Sequence, residues 1–436
     1  MQTSLETLGE LERRLTMSVP VAQIEHEVAQ RLARLAKNTK VAGFRPGKVP
    51  LKMVAQQYGP QVRSDVIADA VKTTFADALR EQNLRIAGYP RIEPRAEAVA
   101  PELLEFSAVF EVYPEVRIGD LADVTIERPL TEVGADDVAR TIEMLRRQRT
   151  RYERVARGAA TGDRVVVDFS GTIDGVAFPG GQASDFAIVL GEGRMLPEFE
   201  TAVSAMTEGE TKTFGLTFPA NYHGREVAGK AAQFSLTVKS VEAGHLPEVD
   251  AEFVRTFGVA SGELEDLKAE IASNLRLELK RKIDTAVKEQ VFTALRQKAT
   301  FMLPKSLVEI EAQNMAQRMA ADMREKGMKA EDVKLTPDMF RANAEVRVAL
   351  GLILSEVVRT EALSAKPEQV KALLQEAAQT YEQPEAVVRW HYEKPERLSD
   401  FEALAVEQNV VAWVLERAQV EDKPVAFTDL MGTSRS

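Results

Sequence analysis

At 436 residues, 44% apolar and 28% charged, the chain is longer than one hydrophobic core usually serves, and its composition is that of a folded protein of about three domains. The lack of cysteine excludes disulfides, thiolate nucleophiles and cysteine-held metal clusters. Four scattered histidines (His26, His223, His245 and His391) show no ligand spacing, so neither a metal site nor a cofactor is expected. No apolar run suits a signal peptide or a membrane span, which points to the cytoplasm and no membrane partner. A net charge of −11 argues against a DNA-binding surface.

In chain order, Leu11, Leu15, Met17 and Val19, and later Leu104, Phe106, Ala108, Phe110 and Val112, fall at strand spacing. Between them, residues 21–40 (Ile24, Val28, Leu32, Leu35) and 60–82 (Val62, Val66, Ala70) have helical spacing, giving an α+β N-terminal domain over 1–113. Tyr113-Pro114 and Arg128-Pro129 mark extended chain, because a residue before proline is pushed out of the α region. A charged helix with Val138, Ile142 and Leu145 on one face completes a connector over 114–152. Residues 153–245 read as mostly β, from Val165–Phe169 through the turns Asp174-Gly175 and Gly180-Gly181 to Phe234–Val238. After Pro247 the pattern is helical to the end, over 246–436, with a long period through Leu264, Leu267, Ile271, Leu275, Ile283, Val287, Val291 and Leu295. Later helices open at Pro304, Pro337 and Pro367, with Thr336 as an N-cap before Pro337. The whole is a multidomain α+β chain with an all-α C-terminal body.

From Val28 to Ser64 there is no Asp or Glu, while Arg31, Arg34, Lys37, Lys40, Arg45, Lys48, Lys52 and Arg63 fall inside. Such a basic island in an acidic chain fits either one localised anionic partner or a solvated helix face. Within it lies Gly43-Phe44-Arg45-Pro46-Gly47-Lys48-Val49-Pro50, whose glycines and prolines force a tight exposed turn. Arg45 and Lys48 suit phosphate, and Phe44 suits a base or an apolar notch; equally, Phe44 could fold back as a local plug. The pattern Gly-Phe-Arg-x-Gly-x-x-Pro, met at Gly43, Phe44, Arg45, Gly47 and Pro50, resembles the ribosome-docking signature of trigger factors. That resemblance implies contact with a large-subunit protein and rRNA beside the exit tunnel. Pro46 at the variable position stiffens the tip.

The middle domain resembles the FKBP family. Phe169 matches the first pocket aromatic, Phe178 follows the turn at Asp174-Gly175, Phe186 opens Asp185–Gly191, and Met195-Leu196-Pro197-Glu198-Phe199 matches the pocket floor. Tyr222 and His223 fall in the flap, with either one facing the pocket, and Phe234 lies in the last strand. Without the resemblance these aromatics read as the core of a small β domain; with it they imply a peptidyl-prolyl isomerase site. Many FKBPs place an acid where Pro179 stands here, which implies moderate activity. Gly224–Lys230 mimics a phosphate loop, but Ala231 replaces the Mg²⁺-binding hydroxyl and a strand follows, so nucleotide binding is rejected.

Met315, Met319 and Met323 recur at helical spacing, with Met302 and Met328 nearby. They form either a core stripe or an adaptable apolar surface. The resemblance to trigger factors covers nearly the whole chain and implies a helical body with arms that cradles nascent and unfolded polypeptides. It also implies a discontinuous fold with the FKBP-like domain inserted, and a homodimer away from ribosomes. A free-standing isomerase and an rRNA-binding assembly factor are the competing readings. Replacing Phe44 and Arg45 together by alanine should abolish cosedimentation with ribosomes and leave proline-peptide isomerisation intact; unchanged cosedimentation rejects the docking assignment.

Overall fold

A computed structural model describes residues 3–38, 49–95, 102–222, 224, 226–328, 335–379, 381 and 383–432. The chain forms two compact units, one of Met1–Arg128 with Thr285–Asp422 and the other of Pro129–Asp284 with Lys423–Ser436.

Along the chain, strands β1 (Thr3–Thr7) and β2 (Glu12–Pro20) lead to helices α1 (Val21–Asn38) and α2 (Leu51–Glu81) and strands β3 (Ile86–Pro94) and β4 (Leu103–Val112). Short strands β5 (Arg117–Ile118) and β6 (Thr125–Leu130) precede α3 (Ala135–Gln148). Then come β7 (Arg151–Arg154), β8 (Arg164–Ile173), β9 (Val176–Val189), α4 (Pro197–Val203), β10 (Thr211–Thr217) and β11 (Ala231–His245). Helices α5 (Ala251–Arg255) and α6 (Leu264–Lys298) and strand β12 (Ala299–Thr300) lead to α7 (Lys305–Glu325), α8 (Arg341–Glu361), α9 (Pro367–Ala378), α10 (Pro384–Tyr392) and α11 (Ser399–Leu415). Strand β13 (Gln419–Pro424) and helix α12 (Phe427–Met431) close the described chain. Among the described residues, no helix is long and apolar enough to cross a membrane.

In the first unit the antiparallel sheet runs β1-β2-β4-β3. Leu15, Met17, Ala108 and Phe110 on one face pack against Val71, Phe75 and Ala78 of α2. Sequence spacing starts the second helix at residue 60, yet it begins at Leu51 and runs through Pro60. An interior proline costs a helix about 3 kcal/mol. Burial of Val49 and Val54 against Ile24, Val28 and Leu32 offsets that cost, a tertiary contribution that no local pattern encodes. The segment after residue 285 builds on the same sheet. From β4, the Glu111 carboxylate accepts the Ser306 N–H at 2.7 Å and the Lys305 N–H at 3.2 Å, serving the unbonded donors at the start of α7. Gly88, at φ +82°, makes room there, since a Cβ would lie 2.7 Å from that of Ser306. Pro304 caps α7 and Pro367 opens α9 as the sequence suggests, whereas Pro337 opens a 3₁₀ turn over Pro337–Phe340 that only then becomes α8. Helices α7 and α8 share Val308, Ala312 and Ala344, and Gln369 of α9 donates to Asn409 of α11 at 2.7 Å.

In the second unit the sheet order is β10-β11-β8-β9, with β7 on the far end of β11. Its core joins Val165, Val167, Leu236, Val238 and Val241 to Phe199 and Val203 of α4. Beside it, Val138 and Ile142 of α3 pack on Phe253, Val254, Leu267 and Ile271. The Asp137 carboxylate accepts the Gly134 N–H at 2.8 Å at the head of α3. The loop before β8 is tied by buried Asp163, which accepts from Arg157 Nη1 at 2.6 Å and Nη2 at 2.9 Å and from the Ala160 N–H at 2.8 Å. Burial alone raises this carboxyl's pKa, but the Arg157 and Ala160 hydrogen bonds and the Arg157 charge together hold it below its ordinary 3.8. A carboxyl lowered in the folded state adds stability above its unfolded pKa, and that stability is lost as pH falls through the folded value. The urea midpoint of this unit in the full chain should therefore fall as pH drops below about 3.8, and Asp163→Asn should be less stable at neutral pH with a flatter acid limb; parallel curves for the two proteins contradict this.

Candidate functional site

Four strands and a short helix gather the aromatic cluster of the second unit. On β8, Val165 and Val167 face the core, and Phe169 continues that face two residues on. On β9 the ladder pairs Ala183 with Phe169 and Gln182 with Ser170, then resumes at Ala177 with Thr172. Residues 178–181 are thereby looped out opposite Gly171, helped by Gly180 at φ +79°. This excursion carries Phe178 edge-on to Phe218 and Phe234, at ring-centre distances of 5.9 and 6.1 Å.

The other walls follow from local rules. Pro197 opens α4, where its missing N–H leaves no bond unmade, and two residues later Phe199 is buried 5.5 Å from Phe169 and 5.5 Å from Phe214. Phe234 of β11 stands at the centre. It meets Phe169, Phe199 and Phe214 at 6.0 Å each, Phe178 at 6.1 Å and Phe218 at 6.4 Å. Edge-on and offset rings at such distances attract through their quadrupoles as well as their area. Met195, Leu196 and Tyr222 pack half-buried on the same core, with Tyr222 4.8 Å from Phe218, while Phe186 is 38% exposed yet only 5.6 Å from Phe169.

The structure thus brings together Phe169, Phe178, Phe186, Met195, Leu196, Phe199, Tyr222 and Phe234; His223 lies outside the described residues. Sequence reading missed Phe214 and Phe218. The signal was present, since Phe214, Leu216 and Phe218 alternate along one strand and its continuation. Beside Phe178 stands Pro179, which offers no acid to the cluster. The described members of the cluster are hydrocarbon rings and apolar chains apart from the Tyr222 hydroxyl, so it suits exclusion of water and not proton transfer.

Of the docking signature, Gly43, Phe44, Arg45, Pro46, Gly47 and Lys48 lie outside the described residues. Pro50 is exposed and forms the N-cap of α2. Two cations of the basic island are neutralised by acids outside it, Arg31 by Asp69 at 2.8 Å and Arg63 by Glu25 at 2.7 Å. The phosphate-loop mimic contains a turn over residues 226–229 and runs into β11, with no helix following. In the helical segment the methionines divide: Met315 packs on the α7–α8 core, whereas Met302, Met319 and Met328 are exposed.

Comparison with known proteins agrees along the chain. Residues 1–145 match the family model described as bacterial trigger factor protein, and residues 263–416 match its C-terminus. Residues 156–239 match the model of FKBP-type peptidyl-prolyl cis-trans isomerase. The chain is 52% identical to the trigger factor of Aromatoleum aromaticum, over 100% of both chains. It is 51% identical to that of an Azoarcus species, again over 100% of both. With the trigger factor of Thiobacillus denitrificans the identity is 50%, over 99% of this chain and 100% of the relative.

The aromatic packing generates a test of its own. A Cβ on Gly171 would lie 2.5 Å from Cε1 and 2.7 Å from Cζ of the Phe234 ring. Overpacking of this kind costs about 1–3 kcal/mol. Gly171→Ala should lower the urea midpoint of the second unit's transition, measured in the full chain, and shift the Phe234 ring resonances; an unmoved midpoint with unmoved resonances shows that the ring has no such neighbour.

Proposed function

The chain belongs to the trigger factor family, and on that footing we propose that it is a ribosome-associated chaperone whose inserted FKBP-type domain isomerises peptidyl-prolyl bonds in the aromatic cluster. The observation that carries the enzymatic reading is the convergence of residues from 169 to 234 on the Phe234 ring. The docking reading rests on the complete signature from Gly43 to Pro50 within an acid-free basic segment. The same reading includes contact with an exit-tunnel protein and with rRNA, capture of nascent and unfolded chains, dimerisation away from the ribosome and a cytoplasmic location. The proposed layout is an N-terminal docking domain over 1–113, a connector over 114–152, the isomerase domain over 153–245 and the chaperone body over 246–436.

The chemistry needs no nucleophile and no proton shuttle. Rotation about an X–Pro bond must break amide resonance, a barrier of about 18–20 kcal/mol. Planar resonance places positive charge on nitrogen and negative charge on oxygen, so an apolar site weakens it and favours the twisted form. Contacts that fit the twisted amide better than the planar one lower the barrier further. Phe169 and Phe199, backed by Phe234, supply the dry floor; Phe178, Phe186 and Tyr222 form the rim that grips the proline and its neighbours. With Pro179 in place of an acid, the rim lacks one hydrogen bond to substrate, and the rate should be moderate. Uncatalysed exchange takes tens to hundreds of seconds and limits folding, which is the reason to carry such a site close to emerging chains.

Phe186 is partly exposed, so its loss removes a substrate contact and little of the core. In a protease-coupled proline-peptide assay, Phe186→Ala in the full chain should lower kcat/KM by about tenfold, with ribosome cosedimentation and suppression of client aggregation unchanged. A parent chain with no rate above background defeats the enzymatic reading.

A further inference from the structure

The outward face of β8 carries an arrangement on which the aromatic cluster depends. Asp168 lies between core-facing Val167 and Phe169 and so projects to the other face. Its Oδ1 accepts the Asp185 N–H at 2.7 Å. Lys239 Nζ donates to Asp185 Oδ1 at 2.5 Å and lies 3.7 Å from Asp168 Oδ2. These three residues sit on adjacent strands, β8 between β9 and β11. Asp185 has φ +53°, a left-handed conformation that most side chains avoid and aspartate tolerates.

The ladder shows what this geometry achieves. Ala183 pairs with Phe169 and Phe186 pairs with Val167, so Ser184 and Asp185 together face the single residue Asp168. That is a β-bulge, one extra residue on β9. In an unbroken ladder with Ala183 on the core face, residues 185 and 187 would share that face and Phe186 would point to solvent. The bulge reverses the parity: Ile188 is buried and Phe186 meets Phe169. Lys239 is itself the unpaired residue of a second irregularity, between Val238 opposite Val167 and Ser240 opposite Val166. The bulges of β9 and β11 are thus tied together across β8.

We propose that Asp168 is a positioning residue for the isomerase: by holding Asp185 in the bulge it sets Phe186 against Phe169 at the rim of the site. The proposal rests on the isomerase reading above. Exposed ion pairs of this kind add little to global stability and are screened by salt. The decisive contact is the carboxylate on the Asp185 N–H, which selects one local backbone geometry. Its loss is therefore read in the placement of Phe186 and in turnover, more than in unfolding.

The test uses the full chain and two readouts, kcat/KM on a proline peptide and the nuclear Overhauser contact between the Phe169 and Phe186 rings. Asp168→Ala should lower kcat/KM by about tenfold, the scale of one charge-assisted hydrogen bond, and lose the ring contact while the urea midpoint stays near that of the parent. Asp168→Asn keeps an acceptor and should recover both readouts. Asp185→Gly placed in the Asp168→Ala background should also recover them, because glycine takes positive φ without steric cost. Asp185→Val alone should reproduce the loss. Parent-like behaviour of Asp168→Ala overturns the proposal, as does a loss that neither rescue relieves. A parent without isomerase activity instead removes the enzymatic reading, and the ring contact then decides the positioning claim by itself.

Discussion

Phe234 sits in the middle strand of three, directly opposite Phe214 on β10 and Gly171 on β8. Residues facing one another across a ladder share one face of the sheet, so a side chain at 171 would claim the volume into which the Phe234 ring leans. With only hydrogen there, the ring lies across β8, stacks on Phe214 at 6.0 Å and reaches Phe169, Phe178, Phe199 and Phe218. The contacts of Phe169 with Phe186 and Phe199, and of Phe178 with Phe218, are arranged around that ring. A glycine within a strand would ordinarily weaken it; here its lack of a side chain admits the centre of the cluster.

The second constraint is parity. Strand β9 contributes two rings, Phe178 and Phe186, that a regular strand could not aim at one place. Phe178 arrives through the excursion at 178–181, and Phe186 through the extra residue at 184–185. Both irregularities interrupt the ladder, and at the second the Asp168 carboxylate serves the Asp185 N–H. The isomerase site proposed above asks only for a dry surface shaped to a twisted amide, a demand on geometry that these departures from regular β structure would meet.

The first unit solves a different problem, joining segments far apart in the chain. The Glu111 carboxylate bonds the first N–H groups of α7, and the Ser306 hydroxyl lies 2.7 Å from the Ala87 carbonyl oxygen. Asp123 lies 2.6 Å from Lys298, and Glu127 exchanges backbone hydrogen bonds with the Gln290 side chain at 2.7 and 2.9 Å. Polar contacts at strand ends and helix starts fix register where apolar surfaces alone would permit sliding. Helix α6 serves both units in succession: Leu267 and Ile271 enter the core shared with α3, and farther along Val287, Val291 and Leu295 are buried.

Local chemistry was legible in the residues themselves. Strand alternation, helical spacing and proline at helix starts marked most elements, because each depends on neighbours within a few positions. The resemblance carried the docking signature and the aromatic set, since its marks are residue types at defined positions in the chain. The start of α2 ahead of Pro60 and the placing of the Phe234 ring over Gly171 were not legible. Nor was the reversal that turns Phe186 inward. Each of these rests on partners remote in sequence: Val54 needs Ile24 and Val28, Phe234 needs the void at Gly171, and Phe186 needs a bulge held from the neighbouring strand. The sequence by itself determined which residues could form an apolar aromatic cluster and an acid-free basic segment; only the tertiary structure decided which rings meet, because that depends on register, and one residue of register turns a side chain from one face of a sheet to the other.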